Sequence, residues 1–365
     1  MGNKVFKKSK DEYYILSILD CKVIRNEVCK DLDLKDLYNM RCMCKKSSTT
    51  MLRQIVQIKK REGFFFIVKN EKDKNYTKIR EFGIEDVKMI TSDNAKSSMN
   101  LLCRTEFEYI KRLQIMYYSN DIFESLNVNT FPNFENVTKL KYLEYIEIEY
   151  PCKDISNVMK ILSKCESLRS IIFYKGIIGE GQISSLPPNL TDLHICNGFE
   201  NLYPINIDVD IPKNMHSLSF GYYSVYGNLK GLDKCHSLHT LQIHNKNELS
   251  LIPQSIKDLN CDIITNNMLP RHINYDNLER LTTNNADDIN RFKNLQYLEI
   301  TSNKPINYKF SSPNLHSITL CQSFDQPPDF MIDLKSLESL TMYNMNYDLD
   351  RLPPNRNRNE MWCQP

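Results

Sequence analysis

Small residues are scarce in this chain. Of its 365 residues only 10 are Gly, and Ala occurs twice, at Ala95 and Ala286. Close backbone approaches use Gly and Ala, which argues against a dinucleotide-binding doubly wound sheet and against a tightly packed helix bundle. Long apolar runs are also missing. The longest, Phe64-Phe65-Phe66-Ile67-Val68, sits between Arg61-Glu62 and Lys69, far short of the ~18 residues of a membrane span. The segment Met1–Lys8 has no apolar stretch of the secretory type, so the chain is expected to be cytoplasmic or nuclear and not secreted. Its Asn-x-Ser/Thr sequons at Asn75, Asn136 and Asn189 are then expected to stay bare.

Recognisable reaction chemistry is absent too. The 12 Cys contain no Cys-x-x-Cys, and Cys42-x-Cys44 lacks a matching second pair, so reduced thiols without zinc are expected. Gly176-Ile177-Ile178-Gly179-Glu180-Gly181 has the order GxxGxG instead of GxGxxG, and no phosphate-loop Lys follows. Cys235, His236, His239 and His244 look like a metal set on paper. Strand alternation, however, turns Cys235 inward and His239 outward, so they cannot converge. No Ser or Cys nucleophile stands in a recognisable setting, and Asp287-Asp288 fits a polar loop. The expectation is therefore no catalytic residue, no cofactor, no metal and no enzyme activity.

Asn is plentiful at 38. Rich Asn, Lys, Ile and Tyr beside scarce Ala and Gly is the mark of an AT-rich coding genome, so these counts carry little chemistry. Charge is split. The net charge is +2; residues 1–80 hold 20 Lys+Arg against 10 Asp+Glu, and the rest 27 against 35. Two different modules are expected.

The strongest signal is self-similarity. Leucine, two variable residues, leucine, one variable and an apolar residue recur. Copies are Leu143-x-x-Ile146-x-Ile148, Leu168-x-x-Ile171-x-Phe173, Leu190-x-x-Leu193-x-Ile195, Met215-x-x-Leu218-x-Phe220 and Leu238-x-x-Leu241-x-Ile243. Others begin at Ile110, Ile256, Leu278, Leu295, Leu315 and Leu337. The fourth and sixth positions alternate with polar ones, which is strand periodicity. A short strand cannot bury its apolar row alone. Copies stacked at ~4.8 Å form a parallel sheet with one continuous core, and the rest of each copy returns the chain.

This pattern resembles the leucine-rich repeat. Leu162-Ser163-Lys164-Cys165-Glu166-Ser167-Leu168 and Leu232-Asp233-Lys234-Cys235-His236-Ser237-Leu238 are similar to its cysteine-containing variant. Leu186-Pro187-Pro188-Asn189-Leu190, Ile211-Pro212-Lys213-Asn214-Met215 and Ser323-Phe324-Asp325-Gln326-Pro327 resemble FNIP repeats, over about 186–232 and 312–328. The resemblance implies an α/β solenoid with a parallel sheet on its concave face, preceded by a small helical head. Its usual ninth-position Asn ladder is nearly absent, only Asn303 falling there. The expected organisation is a head at 11–55, a linker or cap at 56–105, repeats at 106–352 and an irregular tail at 353–365. Within the cap region, Phe64–Val68 reads as a strand or a docking segment and Glu85–Met99 as a helix.

Apolar residues of the head fall at helical spacings of three and four. Val23-Ile24, Val28, Leu32, Asp36-Leu37, Met40 and Met43-Cys44-Lys45 resemble an F-box, without its early Pro and late aromatic. The resemblance implies that Val23, Ile24, Val28, Leu32, Asp36, Leu37 and Met40 contact a Skp-type adaptor of a cullin ubiquitin ligase. The alternative is a small helical cap on the first repeat. The variable strand positions face one way, and on them Tyr145, Arg169, His194, His216, His239, Arg280 and Tyr297 are candidates for binding a protein substrate. Without Arg/Lys stripes interleaved with aromatics, nucleic acid is not an expected partner.

Overall fold

The structure is a computed structural model. It describes residues 66–68, 79–80, 84–91, 99–117, 134–149, 155–174, 181–196, 204–245, 251–261, 268–284, 289–301, 313–321, 336–343 and 363–364. The strands are β1 (Phe66–Val68), β2 (Asp86–Thr91), β3 (Arg112–Tyr117), β4 (Tyr145–Glu149), β5 (Ser170–Phe173), β6 (Gly181–Ile183), β7 (Asp192–Ile195) and β8 (Ile205–Asp210). They continue as β9 (Ser217–Lys230), β10 (Thr240–Asn245), β11 (Asp258–Cys261), β12 (Arg280–Thr283), β13 (Tyr297–Ile300), β14 (Ser317–Leu320), β15 (Ser339–Tyr343) and β16 (Cys363–Gln364). Helix α1 spans Ile155–Leu162, between β4 and β5. The chain is an α/β protein with a long parallel sheet and few helices. The main path runs β1-β2-β3-β4-β5-β7-β9-β10-β11-β12-β13-β14-β15-β16, with β6 and β8 beside it.

The copies from Ile110 to Leu295 are built the same way. The first leucine donates its N–H to the carbonyl three residues back: Leu143 to Leu140, Leu168 to Cys165, Leu190 to Pro187 and Leu278 to Tyr275, at 3.0–3.2 Å. Only the carbonyl of that earlier residue is used in this turn, so Pro187, Pro212 and Pro253 can occupy it. The residue after the first leucine then offers its carbonyl to two N–H groups of the next copy. His216, for example, accepts from His239 at 2.9 Å and Thr240 at 3.2 Å. These slanted bonds start the parallel ladder.

Register follows from burial. Leu193 pairs with Leu218, and Leu218 with Leu241, so the leucines of neighbouring copies stand in one row. Leu190, Leu193, Ile195, Met215, Leu218, Phe220, Leu238, Leu241 and Ile243 are all at most 1 % exposed and belong to one hydrophobic core. Burying one such side chain contributes about 1.5–3 kcal/mol, and a one-residue slip would turn the whole row to solvent.

A side-chain ladder runs beside the core. The residue before the first leucine donates across the copy boundary in the same way six times. Asn189 Nδ2 reaches the Glu166 carbonyl at 2.7 Å, Asn294 that of Asp276 at 2.8 Å, and Asn277 and Asn314 those of Gln254 and Lys293 at 3.1 Å. Ser167 and Ser336 donate equivalently to Lys141 and Pro313. The copies beginning at Ile110 and Leu143 carry Tyr109 and Tyr142 at this position, and their rings stack at 5.7 Å.

The return segments differ between copies. After β4 the chain returns as α1, whose buried Ile155, Val158, Met159, Ile161 and Leu162 join the core. The next returns are strands. Part of β9 (Ser217–Ser219) pairs with β7, and its far half (Val225–Lys230) pairs with β8, which pairs with β6. Gly221 makes the bend between the halves at φ 54, a left-handed conformation that favours glycine. In β8 the alternation is complete: Ile205, Ile207 and Val209 are buried, and Asn206, Asp208 and Asp210 exposed. Helix α1 packs on β6, where Ser156 Oγ accepts the Gln182 N–H at 2.9 Å.

Three readings of the sequence change. The helix expected over Glu85–Met99 is instead β2 at Asp86–Thr91. Ile84-x-x-Val87-x-Met89 is a further copy, with all three side chains buried and Val87 paired with Leu113. Non-leucine residues at all three positions hid it. The sheet extends through β2 and β1 into the stretch read as linker or cap, where β1 agrees with the strand alternative for Phe64–Val68, and β16 pairs Cys363 with Met342 inside the stretch read as irregular tail. The Asn ladder stands at the position before the first leucine, because a side chain there reaches the preceding copy's carbonyl. Asn303 and the head at 11–55 lie outside the described residues.

Candidate partner-binding face

The strand positions between the core leucines form two rows on the sheet face opposite the core. The first reads Asp86, Arg112, Tyr145, Ser170, Asp192, Ser217, Thr240, Asp258, Arg280, Tyr297, Ser317 and Ser339. The second reads Lys88, Gln114, Glu147, Ile172, His194, Ser219, Gln242, Asn260, Thr282, Glu299, Thr319 and Thr341. Pairing in register is what brings residues about twenty apart in sequence side by side.

Two Arg–Tyr pairs stand in the first row. The Arg112 guanidinium lies 4.8 Å from the centre of the Tyr145 ring. Arg280 lies 4.6 Å from that of Tyr297, which is 41 % exposed. Each pair joins neighbouring strands, β3 with β4 and β12 with β13. Between the pairs the row holds only Ser, Thr and Asp. Arg280 Nε is also 3.8 Å from Asp258 Oδ2. Burial pushes the Asp258 carboxyl above its ordinary range, and the Arg280 charge opposes that shift. Arg and Tyr on a half-open surface are residues that anchor protein partners.

The other expected residues fall as follows. His216 and His239 are exposed just ahead of β9 and β10, with ring centres 6.1 Å apart. His194 is half-buried in the second row, and burial lowers its pKa against the opposing pull of Asp192. Arg169 is exposed just before β5, and its carbonyl accepts from Thr191 and Asp192. The structure thus joins Arg280 with Tyr297 and His216 with His239. It does not gather the seven residues into one pocket. Val23, Ile24, Val28, Leu32, Asp36, Leu37 and Met40 lie outside the described residues.

A polar network at the N-terminal end of the face was not singled out from sequence. Tyr145 Oη donates to Glu147 Oε2 at 2.6 Å, and Gln114 Nε2 donates to Glu147 Oε1 and to Glu149 Oε1, the latter at 2.8 Å. Burial and the Glu147 carboxylate hold the Tyr145 hydroxyl well above its ordinary pKa. Gln114 and Glu147 are 33 residues apart, and no local motif connects them. The only available signal was two polar residues at equivalent positions of consecutive copies.

Among the described residues, no three His, Cys, Asp or Glu group to hold a metal ion, and no helix is long and apolar enough to cross a membrane. No family model matches the chain, and no curated protein matches it.

Proposed function

We propose that this chain is a leucine-rich repeat protein, partly of FNIP type, that binds a protein on the concave face of its sheet and does no chemistry itself. The observation that carries this reading is the registered pair of rows opposite the core, with its two Arg–Tyr pairs. In the same proposal the head at 11–55 is F-box-like and recruits a Skp-type adaptor, while the repeats select the substrate of a cullin-type ubiquitin ligase. Such a receptor acts by raising the local concentration of substrate at the ligase. The resemblance of Val23, Ile24, Val28, Leu32, Asp36, Leu37 and Met40 to the F-box supports this half of the reading.

Affinity pull-down of the full chain with a purified Skp-type adaptor tests it. Co-purification is expected, with loss on Val28→Asp, Leu32→Asp or Leu37→Asp. No co-purification, or binding that survives all three substitutions, discards the ligase role and leaves a repeat scaffold without a ubiquitin link.

A further inference from the structure

Just ahead of the strands, each copy places the residue after its first leucine on the rim of the sheet. Through the middle of the array this position reads Thr191, His216, His239, Lys257 and Glu279. His216 and His239 thereby put two imidazoles in neighbouring copies. Both side chains are exposed, and their rings stand face to face, with centres 6.1 Å apart and planes 28° apart. The backbone beneath them is fixed. The His216 carbonyl accepts the N–H groups of His239 at 2.9 Å and of Thr240 at 3.2 Å, and Ser217 pairs with Thr240. Met215, Leu218, Leu238 and Leu241 below are buried. Among the described residues, neither ring has a hydrogen-bond or ion-pair partner. Lys257, the cation next in the row, has its ammonium 3.5 Å from Glu279 Oε1 in the copy beyond. His316 holds the same rim position between Gln296 and Glu338, with no second imidazole beside it.

We infer that His216 and His239 form a two-imidazole site for a divalent transition-metal ion, zinc or copper, whose remaining coordination positions are open to solvent. Imidazole nitrogen suits these ions, whereas magnesium and calcium take oxygen ligands. Two imidazole nitrogens, each ~2.0–2.1 Å from one zinc ion, set their ring centres about 5–6 Å apart. The observed 6.1 Å is closed by small side-chain rotations that leave both strands in place. The parallel ladder holds the two backbones at a fixed spacing, so binding orders only the side-chain torsions of two residues. The histidines near His239 in sequence do not supply the second ligand. His216 does, from the preceding copy, because register places it alongside. A closed structural zinc site has four protein ligands; with two, the ion is exchangeable and can accept a donor from another molecule. The inference stands apart from the ligase and partner readings and does not depend on either.

The probe is zinc chloride, titrated into the full-length, tag-free chain ¹⁵N-labelled at histidine, while the imidazole nitrogens are followed by NMR. Zinc held by thiols elsewhere leaves both rings unmoved, so the readout is specific to the pair. The His216 and His239 rings are expected to shift together, with one shared midpoint in the micromolar range, and to stay still with magnesium chloride at equal ionic strength. In His239→Gln the midpoint of the His216 ring is expected to rise by at least about tenfold, and in His216→Gln that of His239 likewise. Rings that do not shift, or that shift with separate midpoints, overturn the site, and that result needs no variant. An unchanged midpoint in a folded single variant overturns it as well, since each ring then binds zinc alone.

Discussion

Asn189 shows how a single side chain can hold two copies together. Its amide donates to the Glu166 carbonyl at 2.7 Å, and Asn189→Ala removes that bond without touching the core. The expected cost is about 0.5–1.5 kcal/mol, read as a lower midpoint in urea. A loss under ~0.2 kcal/mol would mean that water replaces the bond. In the sequence this ladder shows only as Ser-Leu or Asn-Leu at the head of several copies, a position distinct from the ninth-position Asn of the leucine-rich repeat. Cysteine gives a second prediction at this scale. Burial lifts Cys165 and Cys235 from an ordinary 9.0 to about 11. The folded state holds these protons longer than the unfolded state. Their stabilising contribution is therefore complete below pH 9 and disappears as pH rises to about 11. The thermal midpoint is expected to fall across that window, and less so in the Cys165→Ala/Cys235→Ala chain. At pH 8 iodoacetamide should modify exposed Cys103 well before either buried thiol. Equal rates would contradict their burial.

Among elements, α1 and β6 meet closely at Gly181. A Cβ on Gly181 would come within 2.2 Å of Ile155 Cγ2. Gly181 therefore serves packing, not the phosphate loop that its Gly-rich neighbourhood imitates. Gly181→Ala should cost about 1–3 kcal/mol through overpacking. In an Ile155→Ala background the same change should cost much less, because the colliding methyl is gone. A double-mutant cycle in urea checks this, and additive losses would show that α1 does not press on β6. The helix itself was not read from sequence, since the repeat period fixes where each return begins and ends but not its conformation.

At the scale of the whole molecule, each copy touches chiefly the copies beside it, and stability in such arrays is a sum of local terms. Leu218 sits in β9 between Leu193 and Leu241. Leu218→Ala is expected to cost about 2–5 kcal/mol and to expose the amides of β7, β9 and β10 to hydrogen exchange while β13–β15 keep their protection. Loss of protection throughout the sheet would instead identify one cooperative unit. His239→Ala, on the exposed side of the same region, should stay within about 0.5 kcal/mol of the parent.

The spacing of leucines determined the parallel sheet, its register from β3 to β15 and the inward position of Cys165 and Cys235, because strand alternation and the need to bury a short apolar row leave one workable arrangement. The same alternation placed the open rows and put Arg280 beside Tyr297. Tertiary structure alone decided that β9 bends at Gly221 into a second ladder with β8 and β6, that Ile84, Val87 and Met89 make a further copy, and that Gln114 lies buried between Glu147 and Glu149. Those outcomes depend on how much room neighbouring copies leave each other. That room is set by packing between residues far apart in the chain, and no local pattern encodes it.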